Sequence, residues 1–113
     1  MPLDAEVEQI DATTAVVTMS GRMTLGMRLR EIENQLNHAI DHGVRRLVLE
    51  TSGVEYADSA GLGLFLLIYG KMKTVQGSLC IAAPSPTLQQ LFGLTNTDKI
   101  LAIYPDRASA LAG

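Results

Sequence analysis

Hydrophobic and polar positions along the chain fall into segments with either strand or helix spacing. Residues 6–10 and 15–20 are short β-rich runs, and the polar cluster at residues 11–14 between them predicts a hairpin. Farther along, apolar residues recur every three or four positions, as one face of a helix requires. These residues are Leu25, Leu29, Ile32, Leu36 and Ile40. Thr24 can cap the start of this helix, and Gly43 can cap its end.

The rest of the pattern alternates between strands and helices. Leu47-Val48-Leu49 is a continuous apolar run, as expected for a central strand that is buried on both faces of a parallel sheet. The segments that follow are a loop over residues 51–57, a helix over 59–75, a strand over 79–82, a helix that begins at Ser85-Pro86 and ends before Gly93, a strand over 100–104 and a weakly amphipathic helix over 105–112. The order ββαβαβαβα predicts an α/β fold with a mixed, mostly parallel sheet of about five strands and about four helices.

The helix over residues 59–75 carries two apolar stripes on opposite faces. One stripe comprises Leu62, Phe65, Leu66 and Tyr69, and the other comprises Ala60, Leu64 and Leu67 and leads to Lys71. One face must bury against the sheet, and the other is either covered by a neighbouring helix or forms a surface for a partner. Leu67 and Ile68 make this helix more apolar than a solvated surface, which leaves a homodimer or an unusual partner as further alternatives.

Composition limits the classes of protein that the sequence fits. With 113 residues, 47% of them hydrophobic and 19% charged, the chain can bury one core, and we expect a single domain over residues 1–113. A net charge of -3 argues against a nucleic-acid partner, which needs a basic stripe. The acidic start is unlike a signal peptide, and the longest apolar stretch, residues 60–69, is half of a membrane span, so we expect a cytoplasmic protein without membrane insertion. Cys80, the only cysteine, is predicted to be a small core residue.

The sequence Ala57-Asp58-Ser59-Ala60-Gly61 nearly matches the nucleophile elbow G-x-S-x-G of hydrolases. In that fold the serine needs a general base that follows it in the chain, but the two histidines, His38 and His42, both precede Ser59. A hydrolase is therefore the least favoured alternative. A metal site lacks ligands at a suitable spacing, and the glycines match no nucleotide-binding loop. We expect no enzyme activity, no metal and no cofactor.

Asp58 and Ser59 suit helix capping, in which a short polar side chain accepts hydrogen bonds from free backbone N–H groups. Capping does not explain Gly61 and Gly63, each of which costs a helix about 1 kcal/mol relative to alanine. Either the sheet or another molecule must approach closely there. An exposed serine at the positive end of a helix, beside an apolar face, also suits a phosphorylation switch. Phosphate adds nearly two negative charges, which a docked partner would have to desolvate.

Residues 47–54 (LVLETSGV) and 56–63 (YADSAGLG) resemble the STAS domain family, and specifically bacterial anti-sigma factor antagonists. The similarity extends over nearly the whole chain, from Met19-Ser20-Gly21 through Phe92-Gly93-Leu94 to Ile103-Tyr104 and the closing segment from Ala108 to Leu111. It implies a partner-switching protein that is a substrate and binder, not an enzyme. The unphosphorylated form would bind an anti-sigma factor that is also an ATP-dependent serine kinase. Phosphorylation would release this partner, and a phosphatase would remove the phosphate.

The resemblance also implies roles for single residues. Ser59 would be the phosphorylation site, in an acceptor loop formed by Asp58, Ala60, Gly61 and Gly63. The partner-binding surface would include Thr24, Tyr56, Leu64, Leu67 and Lys71. Ala60 stands where the family commonly has a second hydroxyl, and antagonists usually carry aspartates where this chain has Thr24 and Glu50. Those replacements fit the alternative of a constitutive STAS interaction subunit, for instance of a lipid-transport or larger signalling complex, without a working phosphoswitch.

Overall fold

A computed structural model describes residues 2–113, and these residues form one mixed sheet with helices on both faces. The strands are β1 (Asp4–Gln9), β2 (Thr14–Met23), β3 (Arg46–Ala57), β4 (Ser78–Ala82) and β5 (Ala102–Tyr104). The helices are α1 (Met27–Asp41), α2 (Ser59–Thr74), α3 (Pro86–Thr95) and α4 (Arg107–Ala112), with a short 3-10 turn at Thr97–Lys99. The strands lie in the order β1-β2-β3-β4-β5. The predicted α/β fold and the order ββαβαβαβα are confirmed.

β3 lies at the centre of the sheet, as its apolar run predicted. β1 and β2 pair antiparallel as the expected hairpin, and β2, β3, β4 and β5 run parallel. Leu47, Val48 and Leu49 are 0%, 0% and 1% exposed. They are buried because apolar residues of α1, α2 and α3 pack on one face of the sheet and Ala110 of α4 packs on the other.

β3 continues to Ala57, so the predicted loop over residues 51–57 is wrong. The glycine and serine in this stretch are typical of turns, but β2 extends to Met23 and pairs with it, from Ser20 opposite Gly53 to Met23 opposite Ala57. The pairing has two register shifts, between Thr18 and Ser20 and between Gly21 and Arg22, and at each of them β3 contains one residue more than β2. The central strand therefore carries the chain directly to Asp58.

The first helix begins later than predicted. Gly26 is its N-cap residue, without a side-chain cap from the described residues, so the prediction that Thr24 caps this helix is wrong. Leu25 lies before the helix and is 82% exposed, whereas the other four apolar residues of the predicted face are buried. The end agrees with the prediction, because Gly43 follows the last turn with a φ of 101°, a left-handed conformation that favours glycine.

α2 buries a different face from the one predicted. Its buried residues are Gly61, Leu64, Phe65, Ile68 and Met72. Leu62, Leu66 and Tyr69 are only partly buried at the edge of the core, so they do not form the inner face. Ile68 is 0% exposed, which removes it from the evidence for a homodimer. The division into two stripes failed because apolar residues surround this helix on all sides, and periodicity alone then does not reveal the inner face.

The C-terminal elements follow the prediction with shifted ends. Ser85 caps α3 by accepting a hydrogen bond from the backbone N–H of Leu88 at 3.2 Å. The helix continues past Gly93 to Thr95 and stops at Asn96, whose φ of 59° is left-handed. β5 begins only at Ala102, because the N–H groups of Ile100 and Leu101 both donate to the Thr97 carbonyl at the 3-10 turn instead of pairing with β4. Cys80 is a buried core residue, and burial raises the pKa of its thiol.

Candidate functional site

Ser59 occupies the first position of α2, where the chain leaves the central strand. Its side chain is exposed, and the N-cap of the helix is Asp58, whose backbone is extended. Within residues 2–113 the Ser59 hydroxyl takes part in no hydrogen bond, so the helix does not depend on it. Capping belongs to Asp58, and Ser59 presents a free hydroxyl beside the unpaired N–H groups of the first turn.

The carboxylate of Asp58 accepts two backbone hydrogen bonds from different parts of the chain. Oδ1 accepts from the N–H of Gly61 at 2.9 Å, which is the N-cap bond of α2. Oδ2 accepts from the N–H of Leu25 at 2.9 Å, in the turn between β2 and α1. These bonds, that from Leu25 first and that from Gly61 second, lower the pKa of Asp58 from its usual value of 3.8, because both stabilise the ionised carboxylate.

The two glycines of the acceptor loop have different surroundings. A Cβ atom on Gly61 would collide with the carbonyl oxygen of Met23 and would lie 2.9 Å from the Met23 Cβ. The close approach that the sequence required at Gly61 is therefore made by the end of β2. Gly63 is exposed, and a Cβ placed on it would meet nothing within 4 Å. The fold gives no steric reason for glycine at that position.

Gly63 lies in a shallow groove between α1 and α2, which we name the α1–α2 groove. Its lining residues are Leu25, Gly26, Leu29, Arg30, Glu33, Ala60, Gly63, Leu64 and Leu67. Its volume is about 210 Å³, below the roughly 300–1,000 Å³ of small-molecule pockets, so it suits the surface of another protein better than a small ligand. Ser59 lies one turn before Gly63 on the same side of α2, at the head of this groove.

Two highly exposed apolar side chains lie where α1 begins: Leu25 lines the α1–α2 groove, and Met27 lines a neighbouring depression together with Leu25, Gly26 and Arg30. Leu25 and Met27 are 82% and 84% exposed, and Leu67 on the opposite wall is 43% exposed. Leu64 is only 4% exposed and forms the floor, so its assignment to a partner surface is corrected. Sequence reasoning missed Leu25 and Met27 as surface residues, because helical spacing placed Leu25 on the buried face of α1.

A second apolar flank lies on the α3 side of Ser59. Tyr56, at the end of β3, is 41% exposed and shares a shallow depression with Leu91 and Leu94 of α3. Leu94 is 76% exposed. The guanidinium of Arg22 lies 4.7 Å from the centre of the Tyr56 ring, a cation–π contact that holds the ring at the surface. Ser59 thus lies between two apolar surfaces.

This arrangement agrees with the matches to known proteins. A family model described as "Mlab, STAS domain" matches residues 7–103. The chain belongs to the STAS domain family. A Bordetella bronchiseptica protein designated as the anti-sigma factor antagonist BtrV is 30% identical over 82 residues, which are 73% of this chain and 71% of that protein.

Other STAS proteins of the same kind are similar over most of their length. The anti-sigma F factor antagonist of Lysinibacillus sphaericus is 26% identical over 88 residues, which are 77% of this chain and 74% of that protein. The crystal structure of an anti-sigma factor antagonist from Mycobacterium paratuberculosis superimposes with a TM-score of 0.85 at 26% identity, covering 98% of this chain and 92% of that one. The general function that these relatives support is that of an anti-sigma factor antagonist.

Three residues that the sequence assigned to the site or compared with family aspartates lie on different elements and do not line the α1–α2 groove. Thr24 is half-buried in the turn next to Leu25. Glu50 follows Val48 by two positions in β3, so it lies on the sheet face that α4 covers, opposite to α2. Lys71 donates a hydrogen bond from Nζ to Oδ1 of Asn37 at 2.7 Å and thereby joins α2 to α1.

The residues considered for catalysis stay apart from Ser59. His38 and His42 are exposed near the end of α1, with ring centroids 4.0 Å apart. Among residues 2–113, no group of three or more His, Cys, Asp or Glu side chains could hold a metal ion. None of the helices described is long and apolar enough to cross a bilayer.

Proposed function

We propose that this chain is a partner-switching anti-sigma factor antagonist controlled by phosphorylation of Ser59. In its unphosphorylated form it binds an anti-sigma factor that is also a serine kinase. The kinase uses ATP to phosphorylate Ser59, and the phosphorylated chain dissociates from the kinase. A phosphatase then removes the phosphate and restores binding. The chain is a substrate and a binder in this cycle, in keeping with a family of regulatory proteins, and it acts in the cytoplasm.

The observation that carries the proposal is the free Ser59 hydroxyl at the head of an apolar groove. Because the hydroxyl has no structural bond within the described chain, a phosphate can be added to it without removing a contact of the fold. The first turn of α2 tolerates the added negative charge, since its N–H groups point toward it. A protein docked over Ser59 would have to desolvate that charge, which weakens binding.

The α1–α2 groove supplies the docking surface in this proposal. Leu25 and Leu67 offer apolar contacts in the groove, Met27 adds one in the neighbouring depression, and Gly63 leaves the space between the two walls open. An exposed glycine in a helix costs about 1 kcal/mol relative to alanine, and the fold does not need it at this position. Gly70 of the same helix is equally open, but Gly63 differs in lining the groove, where clearance for a partner backbone or side chain would account for the cost.

The decisive experiment is phosphorylation of the purified chain by its anti-sigma factor kinase with ATP. Intact-mass spectrometry should show one added phosphoryl group on the wild type and none on Ser59→Ala. Ser52→Ala is the matched control, because Ser52 is also exposed and lies in the strand that leads to the site. Phosphate incorporation that persists in Ser59→Ala, or that disappears in Ser52→Ala, would contradict the assignment.

Partner release needs a separate measurement. A pull-down from lysate of the source organism should retain a kinase-like anti-sigma factor on the wild type and lose it on Ser59→Asp. Ser59→Asp places a negative charge at the position of the phosphate without requiring the kinase.

A second candidate is a constitutive STAS interaction subunit of a larger complex. Two points favour it. The matching family model is described as Mlab as well as STAS domain. The resemblance to antagonists also implies aspartates at two positions where this chain has Thr24 and Glu50. For such a subunit, Ser59→Asp should retain the same partner as the wild type. The pull-down therefore separates the two candidates.

A further inference from the structure

Asp58 links the start of α2 to a turn that is 33 residues away in the chain. Its Oδ1 accepts the cap bond from Gly61, and its Oδ2 accepts from Leu25, each at 2.9 Å. Leu25 lies in the β2–α1 turn, residues 24–26, which precedes the highly exposed Met27. One carboxylate thus holds both the helix that carries Ser59 and the turn that begins the opposite wall of the groove.

The β2–α1 turn has little else to hold it. Among residues 2–113, the Leu25 bond is the hydrogen bond that joins residues 24–26 to an element other than α1. Gly26 contributes no side-chain cap to α1, and the Leu25 side chain is 82% exposed, so core packing does not fix it. A segment with few buried contacts and a single hydrogen bond opens easily when that bond is removed.

We propose that Asp58 is a positioning residue for docking: it holds the β2–α1 turn so that Leu25 lines the α1–α2 groove and Met27 lines the depression next to it. The positioning is a property of the chain alone, whereas its value for docking rests on the proposed function. Asp58 thereby has a role beyond capping α2, because a cap needs only one of its two oxygens.

Two other caps in the same chain show that the second bond is not needed for capping. Ser85 caps α3 with one hydroxyl, which accepts from the Leu88 N–H. Asp106 caps α4 through Oδ1, which accepts from both the N–H and the hydroxyl of Ser109 at 2.8 Å, within its own helix. Asp58 differs from both because its second oxygen reaches another element.

Asp58→Ser separates the two roles of this residue. Serine is about as good an N-cap as aspartate, so its hydroxyl can accept the bond from Gly61. That single oxygen cannot also accept the bond from Leu25. We expect hydrogen exchange of the Leu25 amide to become at least about tenfold faster, because a bond to a charged group is lost from an exposed turn. Exchange of the Gly61 amide should change by less than about threefold.

Asp106→Asn serves as the control, since Asp106 caps a helix that does not touch the turn. It should leave exchange at Leu25 unchanged. If the Leu25 amide of Asp58→Ser exchanges at the wild-type rate, something other than Asp58 holds the turn and the proposal is overturned. This measurement uses the isolated chain, so it tests the positioning of the turn even if the anti-sigma factor proves to be the wrong partner.

A double-mutant cycle tests the docking role, measured as the affinity of the anti-sigma factor without ATP. Asp58→Ser should weaken binding by about tenfold in the wild-type background and by less than about twofold when Leu25→Ala and Met27→Ala are already present, because its effect passes through those two side chains. Equal losses in both backgrounds would mean that Asp58 touches the partner directly, and would overturn the positioning role. If no anti-sigma factor binds the wild type, the proposed function fails and the exchange result stands by itself.

Discussion

Gly61 and Gly63 lie two residues apart at the start of the same helix, yet they meet opposite surroundings. Gly61 faces the end of β2, where a Cβ would collide with the Met23 carbonyl oxygen, and Gly63 faces open space above the α1–α2 groove. In sequence the two positions look alike, because glycine carries the same helix penalty at both. The difference teaches that the core explains Gly61, whereas the fold gives no steric reason for Gly63, where we propose clearance for a partner.

The same contrast runs along the helix in its larger side chains. Phe65 is 0% exposed and packs edge to face on Phe92 with ring centroids 5.7 Å apart. Leu67 is 43% exposed on the groove side. We therefore expect substitutions on the inner side of α2 to change the free energy of unfolding, and those on the outer side to change partner affinity.

The largest effect should come from Phe65→Ala. Removal of a fully buried aromatic side chain leaves a cavity and should lower the free energy of unfolding by about 3–5 kcal/mol. Leu67→Ala is the matched change outside, and it should alter that free energy by less than about 0.5 kcal/mol while weakening the anti-sigma factor complex. Urea unfolding measures stability and calorimetric titration measures affinity. If Leu67→Ala lowers the free energy of unfolding as much as Phe65→Ala does, the inner and outer sides of α2 do not differ in their contribution to stability.

Gly61→Ala should have the next largest effect. Its methyl group would push against the backbone of Met23, which is less able to move than a side-chain end, so we expect a loss of about 1–3 kcal/mol in the free energy of unfolding. Thermal unfolding monitored by circular dichroism should show a lower Tm. Wild-type stability of Gly61→Ala would mean that α2 can shift away from β2, and the close approach would no longer explain this glycine.

Gly63→Ala should have a smaller effect of the opposite sign. Because the added methyl meets nothing within 4 Å, alanine should raise the free energy of unfolding by about 0.5–1 kcal/mol through its better helix propensity. The same methyl narrows the groove, so affinity for the anti-sigma factor should fall. A chain that gains stability and keeps full affinity would show that Gly63 gives no clearance to a partner.

Most of the fold was predictable because its signals are local and agree with one another. The apolar run 47–49 predicted the central strand, and the serine before Pro86 predicted the start of α3. The end of β3 was not predictable, since residues 51–57 have turn-like composition and become a strand only through pairing with the extended β2. Pairing between distant segments is a tertiary effect that propensity does not contain.

The candidate site was predictable at its centre and not at its edges. Asp58 and Ser59 stood out because short polar residues before an apolar helix are an N-terminal signal. The inner face of α2 was assigned wrongly, because a helix that is apolar all round has no periodicity to read. The exposure of Leu25 depends on where α1 begins, and the bond from its N–H to Asp58 crosses 33 residues, so no local pattern indicates it.

The smallest expected effect is the titration of Asp58, whose carboxylate bonds to both the inner side of α2 and the groove side. Asp58 accepts from Gly61 on the inner side and from Leu25 on the groove side, and these bonds lower its pKa from the usual 3.8. Since the folded pKa is lower than the unfolded one, the contribution of Asp58 to stability is fully present above about 3.8 and is lost as the pH falls through the folded pKa.

The amide resonances of Leu25 and Gly61 should therefore titrate together in ¹H–¹⁵N spectra, with one midpoint below 3.8. Asp58→Ser should abolish both titrations. The Ser109 amide should keep its own, because Asp106 caps a different helix and its pKa is also lowered, through its hydrogen bonds from Ser109. Separate midpoints for Leu25 and Gly61 would show that the two amides respond to different carboxylates. A shared midpoint would show that the amides of Gly61, on the inner side of α2, and of Leu25, in the turn beside the groove, both respond to the ionisation of Asp58, next to Ser59.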